Sequence, residues 1–223
     1  MISQILLGLR QRTLTSTMLM GALLVTFGPK CVAAQDCAYT SVGVDTSAGN
    51  CHTTVELGFG LGETFLAPDT LISAITVWRW YYDANNDSIW HLYVLGLDSG
   101  GRPDVSKLIH DGPNLQNAFG DGIHDIPFRF AFDPPLSLPS PGTYAFVIQA
   151  ENCGAVAEIL ENCTNGYPNG ELWVHDRVTQ PPCRLRPYPT GYPTADLVFN
   201  VDFCHLAVPT VLATLGRLKA IYR

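Results

Sequence analysis

Ile126-Pro127-Phe128-Arg129-Phe130-Ala131-Phe132 alternates large apolar residues with polar or small ones at a period of two. Successive side chains of a strand leave on opposite faces, so Phe128, Phe130 and Phe132 share one face that must be buried. Pro134-Pro135 reads as the end of this strand, because proline cannot donate to a central ladder. Pro141-Gly142 then turns the chain into a second extended run, Thr143–Ala150.

The same grammar extends outward in both directions. Val55–Phe65 is extended and broken by glycines, and Leu71–Tyr82 contains the run Ile75-Thr76-Val77-Trp78-Arg79-Trp80-Tyr81-Tyr82. Asp83-Ala84-Asn85-Asn86-Asp87 has the composition of a turn, and Ile89–Leu97 reads as the strand returning from it in a hairpin. Leu108–Ile109, Glu171–Val174 and Ala195–Cys204 read as further strands, Ala155–Leu160 as a helical turn or a strand, and Asp111–Asp125 as a long polar loop. No ten-residue amphipathic helix is evident before Ala207. About eight or nine short antiparallel strands, spaced by turns, predict an all-β sandwich or barrel over residues 35–205.

The two ends read differently. Arg10 and Arg12 precede the apolar run Met18–Phe27, and Val32-Ala33-Ala34 supplies small residues three and one before a cut. That is the pattern of a signal peptide over residues 1–34, with the protein secreted, on the cell surface or in the periplasm. The apolar run falls short of the roughly 20 residues of a membrane span, so no stable span is expected after cleavage. Residues 206–223 carry Val208, Val211, Leu212, Leu215 and Leu218 at helical spacing and read as a short helical or extended tail.

Losing Arg10, Arg12 and Lys30 with residues 1–34 takes the net charge from −7 to −10. An acidic surface repels phosphate backbones, which argues against a nucleic-acid partner. Six cysteines remain, Cys37, Cys51, Cys153, Cys163, Cys183 and Cys204, and an even number in an exported chain reads as disulfides. Proximity along the chain favours the pairs 37–51, 153–163 and 183–204 among 15 possible connectivities. No cysteine pair has C-x-x-C spacing, so zinc is not expected.

The order of several short motifs carries a resemblance. Gly62-Glu63-Thr64-Phe65 precedes Leu71–Ile75. Pro134, Leu136 and Leu138 precede Pro141-Gly142-Thr143-Tyr144-Ala145-Phe146. Tyr167-Pro168-Asn169-Gly170-Glu171-Leu172-Trp173 follows, and Asp196-Leu197-Val198-Phe199 closes the series. Over residues of about 55–204 this order resembles bacterial exported jelly-roll domains, often found in proteins with cell-surface sorting signals. Their architecture is similar to that of galactose-binding-like and other carbohydrate-binding modules. The resemblance implies a jelly-roll β-sandwich and a surface domain, and carries over no catalytic residue.

Candidate sites follow from residue type and spacing. Trp78, Trp80 and Tyr82 share one face of a strand, either as core or as an aromatic platform for sugar rings. The segment Asp111–Asp125 gathers Asp111, Asn114, Asn117, Asp121, His124 and Asp125, and Asp121, His124 and Asp125 are its candidate ligand-binding residues. Asp83, Asn85 and Asp87 alternate like the first ligands of a calcium loop. Ser88 stands where glycine is wanted and Val94 where a bidentate glutamate is, so a polar turn is the plainer reading. No cofactor is expected, calcium aside. The histidines His91, His110, His124, His175 and His205 invite a triad or zinc site, but no G-x-S-x-G or H-E-x-x-H occurs, and Glu151, Glu158, Glu161 and Glu171 cannot be paired for glycoside cleavage from sequence. The expected function is a non-catalytic module binding a polysaccharide or another cell-surface polymer. The alternatives are a purely structural or adhesive surface domain and, less favoured, a secreted hydrolase.

Overall fold

The structure, a computed structural model, describes residues 38–49, 51–56, 59–81, 88–117, 120–151, 153, 156–178 and 183–205. Thirteen strands lie among them: β1 (Ala38–Gly43), β2 (Cys51–Glu56), β3 (Gly60–Ala67), β4 (Leu71–Arg79), β5 (Ile89–Leu97), β6 (Pro103–Gln116), β7 (Ile126–Ser137), β8 (Gly142–Ala150), β9 (Val156–Asn162), β10 (Leu172–His175), β11 (Thr190–Tyr192), β12 (Asp196–Leu197) and β13 (Phe199–His205). They form two antiparallel sheets, an all-β sandwich. The first has the order β1-β13-β4-β9-β12, with β2 also paired to β9 and β7 to β4; the second has the order β11-β10-β3-β8-β5-β6. The calcium-loop residues Asp83, Asn85 and Asp87, together with Tyr82, Cys37, residues 1–34 and the tail 206–223, lie outside the described residues.

The alternation at Ile126–Phe132 is realised in β7, where Phe128, Phe130, Phe132 and Leu136 are buried and the intervening Arg129 and Ala131 are exposed. Both inner faces deliver aromatic rings. Phe65 of β3 lies 6.2 Å from Phe146 of β8 and 6.4 Å from Phe203 of β13, and Trp90 of β5 lies 5.8 Å from Phe128. All of these are at most 1% exposed. Full burial of such a side chain contributes roughly 2–3 kcal/mol, so this cluster is the principal bond between the sheets.

Three expectations are corrected. β4 and β5 do not form a hairpin: β4 pairs with β7 and β13 in the first sheet, β5 with β6 and β8 in the second. The two strands lie in different sheets, and composition cannot tell a hairpin turn from a connection between sheets. The first half of the expected loop Asp111–Asp125 is strand, because β6 runs to Gln116 along β5. β7 continues through Pro134-Pro135 to pair Leu136 and Ser137 with Ile72 and Leu71 of β4, after a register shift. Prolines at such an irregularity remove no regular ladder bond. The strand count also exceeds eight or nine, since short β1, β2, β11 and β12 carry little periodic signal.

The disulfides differ as well. Cys51 is bonded to Cys163 and Cys153 to Cys183, with Cα separations of 6.1 and 5.4 Å; Cys204 is disulfide-bonded too. Neighbours along the chain are not neighbours across a sheet: β2 lies against β9, which brings Cys51 to the end of β9.

A polar seam joins the sheets beside β3 and β12. Glu63 of β3 is fully buried, and its Oε2 accepts the backbone N–H of Leu197 in β12 at 3.0 Å. Asp196 Oδ2 accepts the Tyr167 N–H at 2.8 Å, and Tyr167 Oη accepts the Leu66 N–H at 3.0 Å. The segment Tyr167–Glu171 is thereby clamped between β3 and β12.

Candidate functional site

β5 decides which side chains reach the outer face of the second sheet. Trp90, Leu92 and Val94 point into the core and are fully buried, so His91, Tyr93 and Leu95 point outward. Residues 183–186 cross this outer face and cover part of it. The Cys153–Cys183 disulfide holds one end of the crossing. His175, itself buried, hydrogen-bonds the Arg186 carbonyl at 2.7 Å and holds the other. Leu185 lies over Gly60, where an added Cβ would come within 2.6 Å of it.

Between this crossing segment and β5–β6 lies a groove of about 320 Å³, lined by His91, Tyr93, Asp111, Glu151, Arg184 and apolar neighbours. Its polar side chains are joined in sequence. His91 Nε2 meets Asp111 Oδ1 at 2.5 Å, and His91 Nδ1 meets Asn114 Oδ1. Asn114 Nδ2 donates to Glu151 Oε1 at 2.9 Å. The His91 ring lies 4.4 Å from that of Tyr93, tilted by 55°. Burial, with a smaller contribution from Asp111, raises the Tyr93 pKa, so at neutral pH its hydroxyl keeps its proton and can donate. The groove thus offers one aromatic ring and a row of planar groups that donate and accept in fixed directions.

The residues expected from sequence are dispersed. Trp78 is half-buried on the outer face of the first sheet, because Val77 and Arg79 take the inward positions of β4. It borders a separate hollow with Ser41, Asp45 and Asn200. Trp80 is half-buried just past β4, with His52 stacked on it at 3.7 Å and Tyr81 against its edge at 5.5 Å. Arg79 is fully buried, donates to Asn117 Oδ1 at 2.8 Å and lies 5.9 Å over the Phe128 ring.

Asp121 accepts the N–H groups of Ile123 and His124, each at 2.8 Å, and contacts the His124 ring at 2.6 Å. These bonds hold the Asp121 carboxyl well below its ordinary range and raise His124, in a turn closed on itself. Asp125 is half-buried beside it, and none of the three lines the groove. Among the described residues, Cys51, Glu161 and Cys163 converge closely enough for a metal, and both sulfurs are committed to their disulfide.

The residues that line the groove came from different parts of the sequence argument, and two were missed. Asp111 stood in the polar segment, as did Asn114, which bridges His91 and Glu151; His91 stood among the histidines and Glu151 among the carboxylates. Tyr93 and Arg184 were not singled out. The alternation of β5, with His91 and Tyr93 opposite Trp90, Leu92 and Val94, is the signal that marks Tyr93.

No protein-family model and no curated protein sequence matches the chain. Among solved structures, it is similar to the cysteine protease and lectin-like domains of Cwp84, a surface layer associated protein of Clostridium difficile. The TM-score is 0.45 at 9% identity, over 69% of this chain and 36% of that one. It is also similar to a structure of infectious bursal disease virus, Gx strain, with a TM-score of 0.22 at 12% identity, over 78% of this chain and 36% of that one. The chain therefore spans little more than a third of either, and similarity at this level says nothing of function. No helix among the described residues is long and apolar enough to cross a membrane.

Proposed function

We propose that this chain is an exported, non-catalytic β-sandwich module that binds polysaccharide in the groove between β5, β6 and residues 183–185. The observation that carries the reading is the groove's chemistry. The Tyr93 ring stands beside the hydrogen-bonded row Asp111–His91–Asn114–Glu151, in a concavity open to solvent. A sugar ring presents an apolar C–H face to an aromatic ring and hydroxyls, each both donor and acceptor, around its edge. Groups fixed by one another before the ligand arrives lose little entropy on binding. Disulfides and the signal-peptide pattern at residues 1–34 support an oxidising, extracytoplasmic location. Trp80 is a poorer platform than Tyr93, because His52 already covers one of its faces.

The test is a pull-down of the oxidised protein on insoluble polysaccharides, followed by titration calorimetry with soluble glucans, mannans and xylans. We expect saturable binding that Tyr93→Ala weakens by about tenfold or more, roughly the value of one aromatic contact. Glu151→Ala, at an exposed position that frees Asn114, should weaken it by a smaller factor. Retained binding in both variants would place the site elsewhere. No binding to any polymer would leave a structural or adhesive domain. Release of reducing ends during the titration would favour a hydrolase using Asp111 and Glu151.

A further inference from the structure

The wall formed by residues 183–186 does not end with the first groove. A second hollow of about the same volume continues along β6, lined by Arg102, Asp104, Ser106 and Tyr188, and it shares Val105 with the first. Tyr188 stands at this second hollow as Tyr93 stands at the first.

Tyr188 is held there at a cost. It is 80% exposed, so it gains almost nothing from burial, and its φ is +63°. A non-glycine residue in the left-handed region is disfavoured, and a residue preceding proline is pushed towards extended backbone. Tyr188 precedes Pro189, which is buried, and follows Pro187, whose φ is fixed. The ends of the segment are anchored by the His175 bond to the Arg186 carbonyl and by the pairing of Thr190 with Val174. Such conformations persist only where the surroundings impose them. Here they present an aromatic ring to solvent beside a polar hollow.

The carboxylates of the second hollow are already occupied. Asp98 accepts the N–H groups of Gly100 and Arg102 at 2.7 and 3.0 Å, and Asp104 accepts from Ser106 N and Oγ at 2.9 and 2.7 Å. The Arg102 and Arg184 guanidiniums, one in each hollow, make no ion pair among the described residues and are left to donate. In the first hollow Asp111 and Glu151 are exposed, which disfavours a polyanion.

We infer that the two hollows are consecutive subsites for one linear, uncharged polysaccharide chain, which runs along β6 and stacks on Tyr93 and Tyr188. This rests on the polysaccharide reading of the first groove and names its substrate class: an internal stretch of chain, not a terminal sugar. The test is calorimetry on the oxidised protein with cello-, manno- and xylo-oligosaccharides, each from disaccharide to hexasaccharide. The wild type should gain about tenfold or more in affinity with length in one series. Tyr188→Ala should abolish that gain and keep the disaccharide affinity, and Tyr188→Phe should restore the gain. The exposed position leaves the thermal midpoint unchanged in both. Length-independent binding, or a gain that survives Tyr188→Ala, overturns the second subsite while the first groove stands. Absence of binding in every series overturns both.

Discussion

Gly170 has no room for a side chain. A Cβ there would overlap the Thr64 carbonyl oxygen and come within 2.6 Å of both Glu63 Oε1 and Tyr167 Cδ1. The Thr64 carbonyl belongs to β3, so relief requires moving a paired strand. We expect Gly170→Ala to cost about 2–3 kcal/mol in urea unfolding. Gly101, at φ +83° with open space around it, is the control: alanine there meets only the backbone penalty, about 1 kcal/mol. Equal costs would mean that the seam at Gly170 is looser than described. At this scale the sequence was legible in its alternation and illegible in its phase. Trp78 and Val77 differ by one position, and period two alone cannot say which of them faces inward. The larger apolar residue is the natural choice, yet Val77 and Arg79 are buried, because Asn117 and the face of Phe128 satisfy the guanidinium.

Among the elements, the two described disulfides have separable jobs. Cys51–Cys163 closes 112 residues and ties β2 to the end of β9, while Cys153–Cys183 closes 30 and anchors the segment that walls the groove. In the chain-entropy account the longer loop stabilises by about 4.7 kcal/mol and the shorter by about 3.5 kcal/mol. Replacing Cys51 and Cys163 together by serine should therefore lower stability more and leave polysaccharide affinity intact. Replacing Cys153 and Cys183 should lower affinity several-fold, measured where both variants remain folded, because Arg184 and Leu185 lose their anchor. An unchanged affinity in the second variant would show that the wall holds itself in place. That the cysteines form disulfides was readable from their number. Their pairing was not, since it follows from β9 lying against β2 and from residues 183–186 crossing the second sheet. The same long-range pairing hid β6 inside an apparent loop: its polar residues are spaced for an edge strand whose outer face is the groove.

Across the whole molecule, the sandwich is closed chiefly by aromatic burial, with buried polar contacts where Arg79 of β4 meets Asn117 and where Glu63 reaches from β3 to Leu197 of β12. Burial drives the Glu63 carboxyl well above its ordinary range. The Leu197 N–H pulls the other way, and the nearby Asp196 and Glu171 carboxylates push it further up. Asp196 and Glu171 are raised too, again chiefly by burial. In the unfolded chain these groups ionise near about 4. Folding therefore takes up protons, and the stability they supply is present below that value and lost as pH rises through their folded pKa values. The slope for one such group is at most about 1.4 kcal/mol per pH unit. His175 works in opposition: burial lowers its pKa, so its contribution is lost as pH falls below about 6.5. The prediction is accordingly a difference between proteins. Glu63→Gln keeps an acceptor for the Leu197 N–H and carries no charge at any pH. Its stability relative to the wild type should rise as pH is raised from about 5 to about 8, read from urea unfolding at each pH. Two parallel pH curves would mean that Glu63 holds no extra proton in the folded state. They would also remove the account of how an acidic side chain sits at this polar crossing between the sheets.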